Sequence, residues 1–375
     1  MAQKRAAAHA PHEAAHFPDL SDGLTEIQRR ILAALAKKTA PGHRTVRSDL
    51  VLKLVLGGPV PSLEAALTGA AAHRQIAEPG LTTYLQLVQM AQTFHTRYPL
   101  VDWVGSFGTA DGGPPPDHVF TRCGLSRFGA AVAAGIAPHL LVNGAGAPGA
   151  ESGYFLPHHL GEVLTAAAAL IQDPTLPDEA LVSSIPGPDL PTGGAIPYTP
   201  AVRRIYLTGE GTLPVRARVE VGQTGEGLAA VVDGIPGWTS RSQLEAEVAD
   251  GMRSGVLRCT SGMVVETDER GPVRLQFPIR SGATPEAVLA EVFAHTSLET
   301  EIRVDMRALD CGALRRVSLP AMLRAYVRQI TRASTALDAS EATAERLLAE
   351  LAALRAQHED PRRTQLGRSW RASLA

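Results

Sequence analysis

The stretch YLQLVQMAQTFHTRYPLVDWVGSFGTADGGPPPDHVFTRCGL, Tyr84 to Leu125, decides how the chain is read. Its first part predicts an amphipathic helix, because Leu87, Met90, Ala91 and Phe94 fall at helical spacing on one face. Arg97-Tyr98-Pro99-Leu100-Val101-Asp102 then runs into a Gly/Pro-rich loop from Gly105 to Pro116, and a strand is expected to start at Val119.

Around that stretch lie 375 residues, enough for two or three domains with sizeable cores. The formal charge of -2 does not by itself announce a polyanionic partner. Its distribution is uneven: residues 1–75 hold ten Lys/Arg against six acids, a net +4, which leaves -6 for the rest. Such a basic segment fits either a nucleic-acid-facing surface or an ordinary solvated face. Cys123, Cys259 and Cys311 form no pair motif, which points to a reduced cytoplasm. No apolar run reaches membrane length, and the Ala/His-rich residues 1–16 read as a disordered tail without a signal-peptide core.

Outward from Tyr84–Leu125 the motifs keep a recognisable order. VQMAQ, RYPLVD, Gly105-Ser106-Phe107-Gly108 and the later Asp-Gly and Pro-Pro pairs are preceded by PDLSDGLTEIQRRIL (Pro18–Leu32). They are followed by LLVNG (Leu140–Gly144), IPGPDLPTGG (Ile185–Gly194), LTGEG (Leu207–Gly211), VRARVE (Val215–Glu220) and HTSLET (His295–Thr300). This order resembles the breakage–reunion region of the type IIA topoisomerase A subunits, those of gyrase and topoisomerase IV, over roughly residues 17–350. The resemblance implies an α+β chain. A winged-helix DNA-gate domain would occupy residues 17–170, a tower of mixed sheet and helices 171–315, and a truncated coiled-coil stub 316–358. A basic tail at 359–375 would follow. Because the chain stops at Ala375, neither the family's exit gate nor its wrapping domain is expected.

In that register the family's catalytic arginine and tyrosine fall on Val119 and Phe120. Phenylalanine lacks the oxygen nucleophile and valine the charge, and the family's active-site histidines are replaced by Ile76 and Glu78, so the expectation is a chain that is no enzyme. Cys123 is the other nucleophile nearby, in a position that matches a buried alanine of the family. DNA-contacting roles are implied for Arg29 and Arg30, for Arg74, for Asn143 in the LLVNG loop, and for Arg216 and Arg218 on one strand face. Pro148 stands nearest to the isoleucine that wedges between base pairs in the family, although a proline in a Gly-rich loop is more often a turn residue. No cofactor or metal constellation is expected, and His158 and His159 read as structural.

Two functions follow from this reading. One is a non-catalytic, cytoplasmic, nucleoid-associated homodimer that binds and bends double-stranded DNA through its backbone. The other is an interaction protein that modulates or protects a cognate gyrase or topoisomerase IV subunit.

Overall fold

A computed structural model gives the fold. It describes residues 16–39, 45–58, 71–109, 113–146, 153–191, 193–196, 199–224, 227–234, 236, 239, 241–266, 274–335 and 341–358; side chains are not described at 71–78, 199, 233, 266, 274, 333–335, 341–344, 346 and 347. Pro148, the N-terminal tail before His16 and the basic tail lie outside these residues, as does the side chain of Arg74.

The chain opens with α1 (Glu26–Lys38). Its start is fixed by a reciprocal cap in which the Thr25 hydroxyl accepts from the Gln28 N–H and the Gln28 side chain accepts from the Thr25 N–H. Strand β1 (Val46–Arg47) leads directly into α2 (Ser48–Leu56), which ends on Gly57 in the left-handed region. Helix α3 (Ala71–Ala91) follows and carries Pro79 inside it. The amphipathic helix therefore ends at Ala91, three residues short of Phe94. Strands β2 (Val101–Val104) and β3 (Arg122–Leu125) pair antiparallel, and β1 adds to the other side of β3. Val119 and Phe120, expected to open this strand, sit in the turn before it.

Next come α4 (Arg127–Ala133), α5 (His139–Asn143), β4 (Ala145–Gly146), β5 (Tyr154–Phe155), α6 (Leu160–Gln172), α7 (Asp178–Ser183) and α8 (Thr199–Thr208). The LLVNG segment is thus a buried helical turn rather than a loop. It ends on Gly144 at φ +66 and ψ -167, where an added Cβ would lie 2.2 Å from the Phe155 carbonyl oxygen.

Strand β6 (Glu210–Arg216) pairs antiparallel with β11 (Glu299–Asp305), with Arg216 opposite Glu299. Between those strands lies a separate unit: β7 (Arg218–Thr224), β8 (Gly227–Gly234), α9 (Arg241–Ser254), β9 (Val264–Glu266), β10 (Arg274–Pro278) and α10 (Pro285–His295). Its sheet has the order β7-β8-β10-β9. Every ladder between these named strands is antiparallel, where a mixed sheet was expected.

The hairpin β12 (Arg307–Asp310) and β13 (Ala313–Arg316) precedes α11 (Leu319–Thr335) and α12 (Glu341–His358). These last two helices pack back on α6, burying Leu351 and Leu354 in the main core.

Two hydrophobic clusters result. The first runs from Leu24 to Val215 and resumes from Ile302 to Leu354; the second draws only on Ala217 to Leu298. Leu181, Val182, Ile185, Leu213 and Val215, which the sequence groups with the tower, belong to the first. The beginning of the described chain is tied to the same body, since Leu20 N–H donates to the Leu309 carbonyl at 2.8 Å and Leu309 N–H to that of Pro18 at 2.9 Å.

Candidate functional site

The turn that carries Val119 and Phe120 is fixed from both sides. Phe120 N–H donates to the Asp117 carbonyl at 2.9 Å, and Val119 N–H to the Asp117 Oδ1 at 3.1 Å. His118 is buried, its Nδ1 2.9 Å from Asp117 Oδ1 and its ring edge-on to Tyr84. On the other side Thr121 is buried and its hydroxyl hydrogen-bonds the Ser48 hydroxyl at 2.8 Å. With His118 and Thr121 pinned inward, Phe120 points outward and is 77% exposed, more than any other large apolar side chain described as exposed.

Two other groups near this turn could donate a nucleophile, and both are buried. Burial pushes the Cys123 thiol up to about 11 and holds it in its unreactive form. Tyr84 donates its hydroxyl to the Pro116 carbonyl at 2.6 Å, and burial raises its pKa as well.

The motifs that stand out in the sequence meet one another at a clasp. Arg97 of RYPLVD pairs with Asp189 of IPGPD at 2.7 Å, and Tyr98 takes up Asn143 of LLVNG. The Asn143 amide grips the backbone of one residue twice: its Oδ1 accepts from Tyr98 N–H at 2.6 Å and its Nδ2 donates to the Tyr98 carbonyl at 2.9 Å. The Tyr98 hydroxyl accepts from Leu160 N–H at 3.0 Å, and Asp189 N–H donates to the Pro157 carbonyl at 2.8 Å. Asn143→Ala would strand the Tyr98 N–H and is expected to cost about 1–3 kcal/mol. A denaturant midpoint indistinguishable from the parent would remove this account of the clasp.

Two histidines are sealed in the same region. His139 lies beside Asn143, whose Nδ2 is already a donor, so Nδ1 of His139 accepts and its Nε2 carries the hydrogen. His158 donates from Nδ1 to the Leu141 carbonyl at 2.6 Å. Burial pushes both down to about 4. A cleft of about 320 Å³ opens beside His139, with Gln28, Gln89, His95 and Asn143 also among its walls. Among the described residues no Lys, Arg, Asp or Glu lines it, so these walls offer hydrogen bonds without a fixed charge.

The arginines expected to meet DNA are placed unequally. Arg29 is taken up by Asp22 and Glu26, each at 2.7 Å, and the Asp22 hydrogen bond raises its pKa. Arg30, next to it, is exposed, and no carboxylate among the described residues pairs with it. Arg216 pairs with Glu299 at 2.7 Å and covers the Phe293 ring at 4.8 Å. Arg218 lies past Ala217 on β7, in the other sheet, so the two arginines do not share a strand. Arg122, which the sequence reading passed over, is exposed; it donates to the Thr45 carbonyl at 2.6 Å, and no described carboxylate pairs with it. Its position between an exposed aromatic and a basic β1 was the available signal.

Among the described residues no group of three His, Cys, Asp or Glu could hold a metal ion, and no helix is long and apolar enough to cross a membrane. Residues 131–361, more than half of the chain, match the family of the A subunits of DNA gyrase and topoisomerase IV.

The chain belongs to that family.

Its similarity to individual gyrase A subunits extends further toward the N-terminus. It is 30% identical over 339 residues to the DNA gyrase A subunit of Granulibacter bethesdensis, covering 83% of this chain and 34% of that protein. It is 28% identical over 343 residues to the probable chloroplastic/mitochondrial DNA gyrase A subunit of Oryza sativa subsp. japonica, with 83% and 35% covered. For the DNA gyrase A subunit of Chlamydia muridarum the figures are 28% over 340 residues, 83% and 39%. The chain spans roughly a third of the length of these curated relatives. These matches correct the expectation, drawn from Val119 and Phe120, that the chain is no enzyme. The relatives it matches are DNA gyrase A subunits, which are parts of an enzyme, and two replaced side chains do not take a gyrase A chain out of its family.

Proposed function

We propose that this gyrase A-type chain holds and bends double-stranded DNA, as a homodimer, through contacts to the phosphate backbone. In this reading α1 to α3 with the sheet β1-β3-β2 form a winged-helix gate, the unit from Ala217 to Leu298 is the tower, and α11 and α12 are the root of a coiled coil. Membership of the gyrase A family is the observation that carries the proposal. The guanidinium groups of Arg30 and Arg122, which no described carboxylate neutralises, support it, because exposed cations of this kind are available to phosphates.

A duplex held by about six to ten phosphate contacts across a dimer should give a log–log salt slope of roughly -5 to -9, since each neutralised phosphate releases counterion. Arg30→Ala should weaken binding to all sequences about equally, the mark of a positioning contact. Gel-shift titrations over a salt series on several unrelated duplexes read both effects. An affinity indifferent to salt would favour the second reading, a partner role on another gyrase or topoisomerase IV subunit, which a pull-down with those subunits would then show.

The dimer is supported by exposed apolar side chains on the gate: Leu85 on α3 and Trp103 on β2, both above 40% exposed. A two-fold interface puts the same patch on both copies and buries it. Sedimentation at micromolar concentration should show a concentration-dependent dimer, and a strictly monomeric mass there would refute it.

A further inference from the structure

We infer that Phe120 is an apolar wedge that contacts the bases of the held duplex, so that binding has a component that does not depend on salt. The inference rests on the DNA-binding reading above and adds a contact of a different kind to it.

An aromatic ring 77% exposed on a floppy loop would be unremarkable, because it could fold away on its own account. The backbone at Phe120 has no such freedom. The turn is held by two hydrogen bonds to Asp117, by buried His118 before it and by buried Thr121 after it. The backbone that carries the ring is therefore held in place, so no backbone entropy need be lost at the turn when the ring meets a partner. Val119 stands beside it, 37% exposed. Val104 of β2 is 54% exposed, and a Cβ added at the next residue, Gly105, would lie 3.8 Å from the Phe120 carbonyl oxygen. The projection is thus a small apolar ridge made by the turn and the end of β2.

The surroundings of this ridge select its partner. Arg122, two residues on, is exposed with its charge unmatched by any described carboxylate. Arg47 lies directly opposite Arg122 in the β1–β3 ladder; it is paired with Asp49, which Lys53 also reaches. A rigid apolar point beside uncompensated guanidinium is the combination that suits a base step flanked by phosphates. Phenylalanine is among the side chains that enter such steps and kink the duplex.

The test uses a short duplex with 2-aminopurine at alternate positions, titrated with the full chain over a salt series. The parent should raise 2-aminopurine emission as steps unstack. Phe120→Ala should abolish that rise and bind about tenfold more weakly at every salt concentration, with the log–log slope unchanged. Phe120→Leu should recover part of the affinity. Arg122→Ala should keep the emission change and lower the slope by about one. Unaltered binding and emission in Phe120→Ala would overturn the inference, as would a loss of dimer mass in that variant, which would place Phe120 between subunits. Parent protein that binds without any emission change overturns the wedge alone. Parent protein that does not bind the duplex overturns the DNA-binding reading and the wedge with it.

Discussion

Between pH of about 6.5 and about 4 the protein is expected to lose a large share of its folding stability, and His139 and His158 are the cause. Both are buried and neutral in the folded state, held down to about 4 chiefly by burial. For His158 the Leu141 hydrogen bond and the charge of Asp189 offset part of that effect, and for His139 the charge of Asp22 does so. In the unfolded chain each would take up a proton near the ordinary histidine value of about 6.5. The unfolded state therefore binds more protons throughout this window, so stability rises with pH and is lost as pH falls. Each histidine contributes about 1.4 kcal/mol per pH unit, or about 3 kcal/mol by pH 4, against a total of about 5–15 kcal/mol for a typical domain. Urea unfolding at a series of pH values should show midpoints that fall steadily below about pH 6.5. His139→Asn should flatten the curve by roughly half, whatever it does to stability at neutral pH. A profile level from pH 7 to 5 in the parent would exclude the two histidines as the source.

Arg97→Met is expected to destabilise the protein by about 1–3 kcal/mol, because it leaves the partly buried Asp189 carboxylate at the clasp without its charged hydrogen-bond partner. The Arg97 side chain is 9% exposed and that of Asp189 23%, so water compensates for part of the loss only. The same guanidinium lies 5.4 Å from the centre of the Tyr98 ring, and methionine keeps the stem while removing that contact too. Adding Asp189→Leu should restore part of the stability, since replacing both members of a largely desolvated pair by apolar groups is less costly than removing one. Guanidinium or urea midpoints of the two variants decide the matter. A single substitution costing less than about 1 kcal/mol would show that Arg97 and Asp189 do not hold these segments together.

The sequence was most informative where local pattern controls local structure. Helices α6, α9, α10, α11 and α12 are of this kind: their apolar residues recur at helical spacing or their starts carry recognisable caps. Helix α10, for example, begins with Thr284 accepting from Ala287 N–H and with Pro285 in its first turn. Strand β2 escaped notice because Trp103 and Val104 run into glycine, and its existence depends on β3, twenty residues away. The division of VRARVE between two sheets was equally hidden. It is set by which strands lie opposite, and Val215 and Val219 alternate just as they would in one continuous strand. For the candidate site, the motifs marked the neighbourhood but not the partners their side chains take. Arg97, Tyr98 and Asn143 are spent on holding one another's segments, while Arg122, which belongs to no quoted motif, remains available to a partner.

The antiparallel root of the unit between β6 and β11 bears on how this chain can be altered. Arg216 and Glu299 face each other, and one further rung, from Ala217 N–H to the Leu298 carbonyl at 2.7 Å, marks where the unit departs. Entry and exit are thus already as close as the two sides of a hairpin, and a two-residue turn would join them without moving β6 or β11. The second hydrophobic cluster draws only on residues between Ala217 and Leu298. The root therefore works as an exchange site: the intervening segment can be lengthened, shortened or replaced by an unrelated domain whose ends lie one strand spacing apart, while the body keeps its own packing.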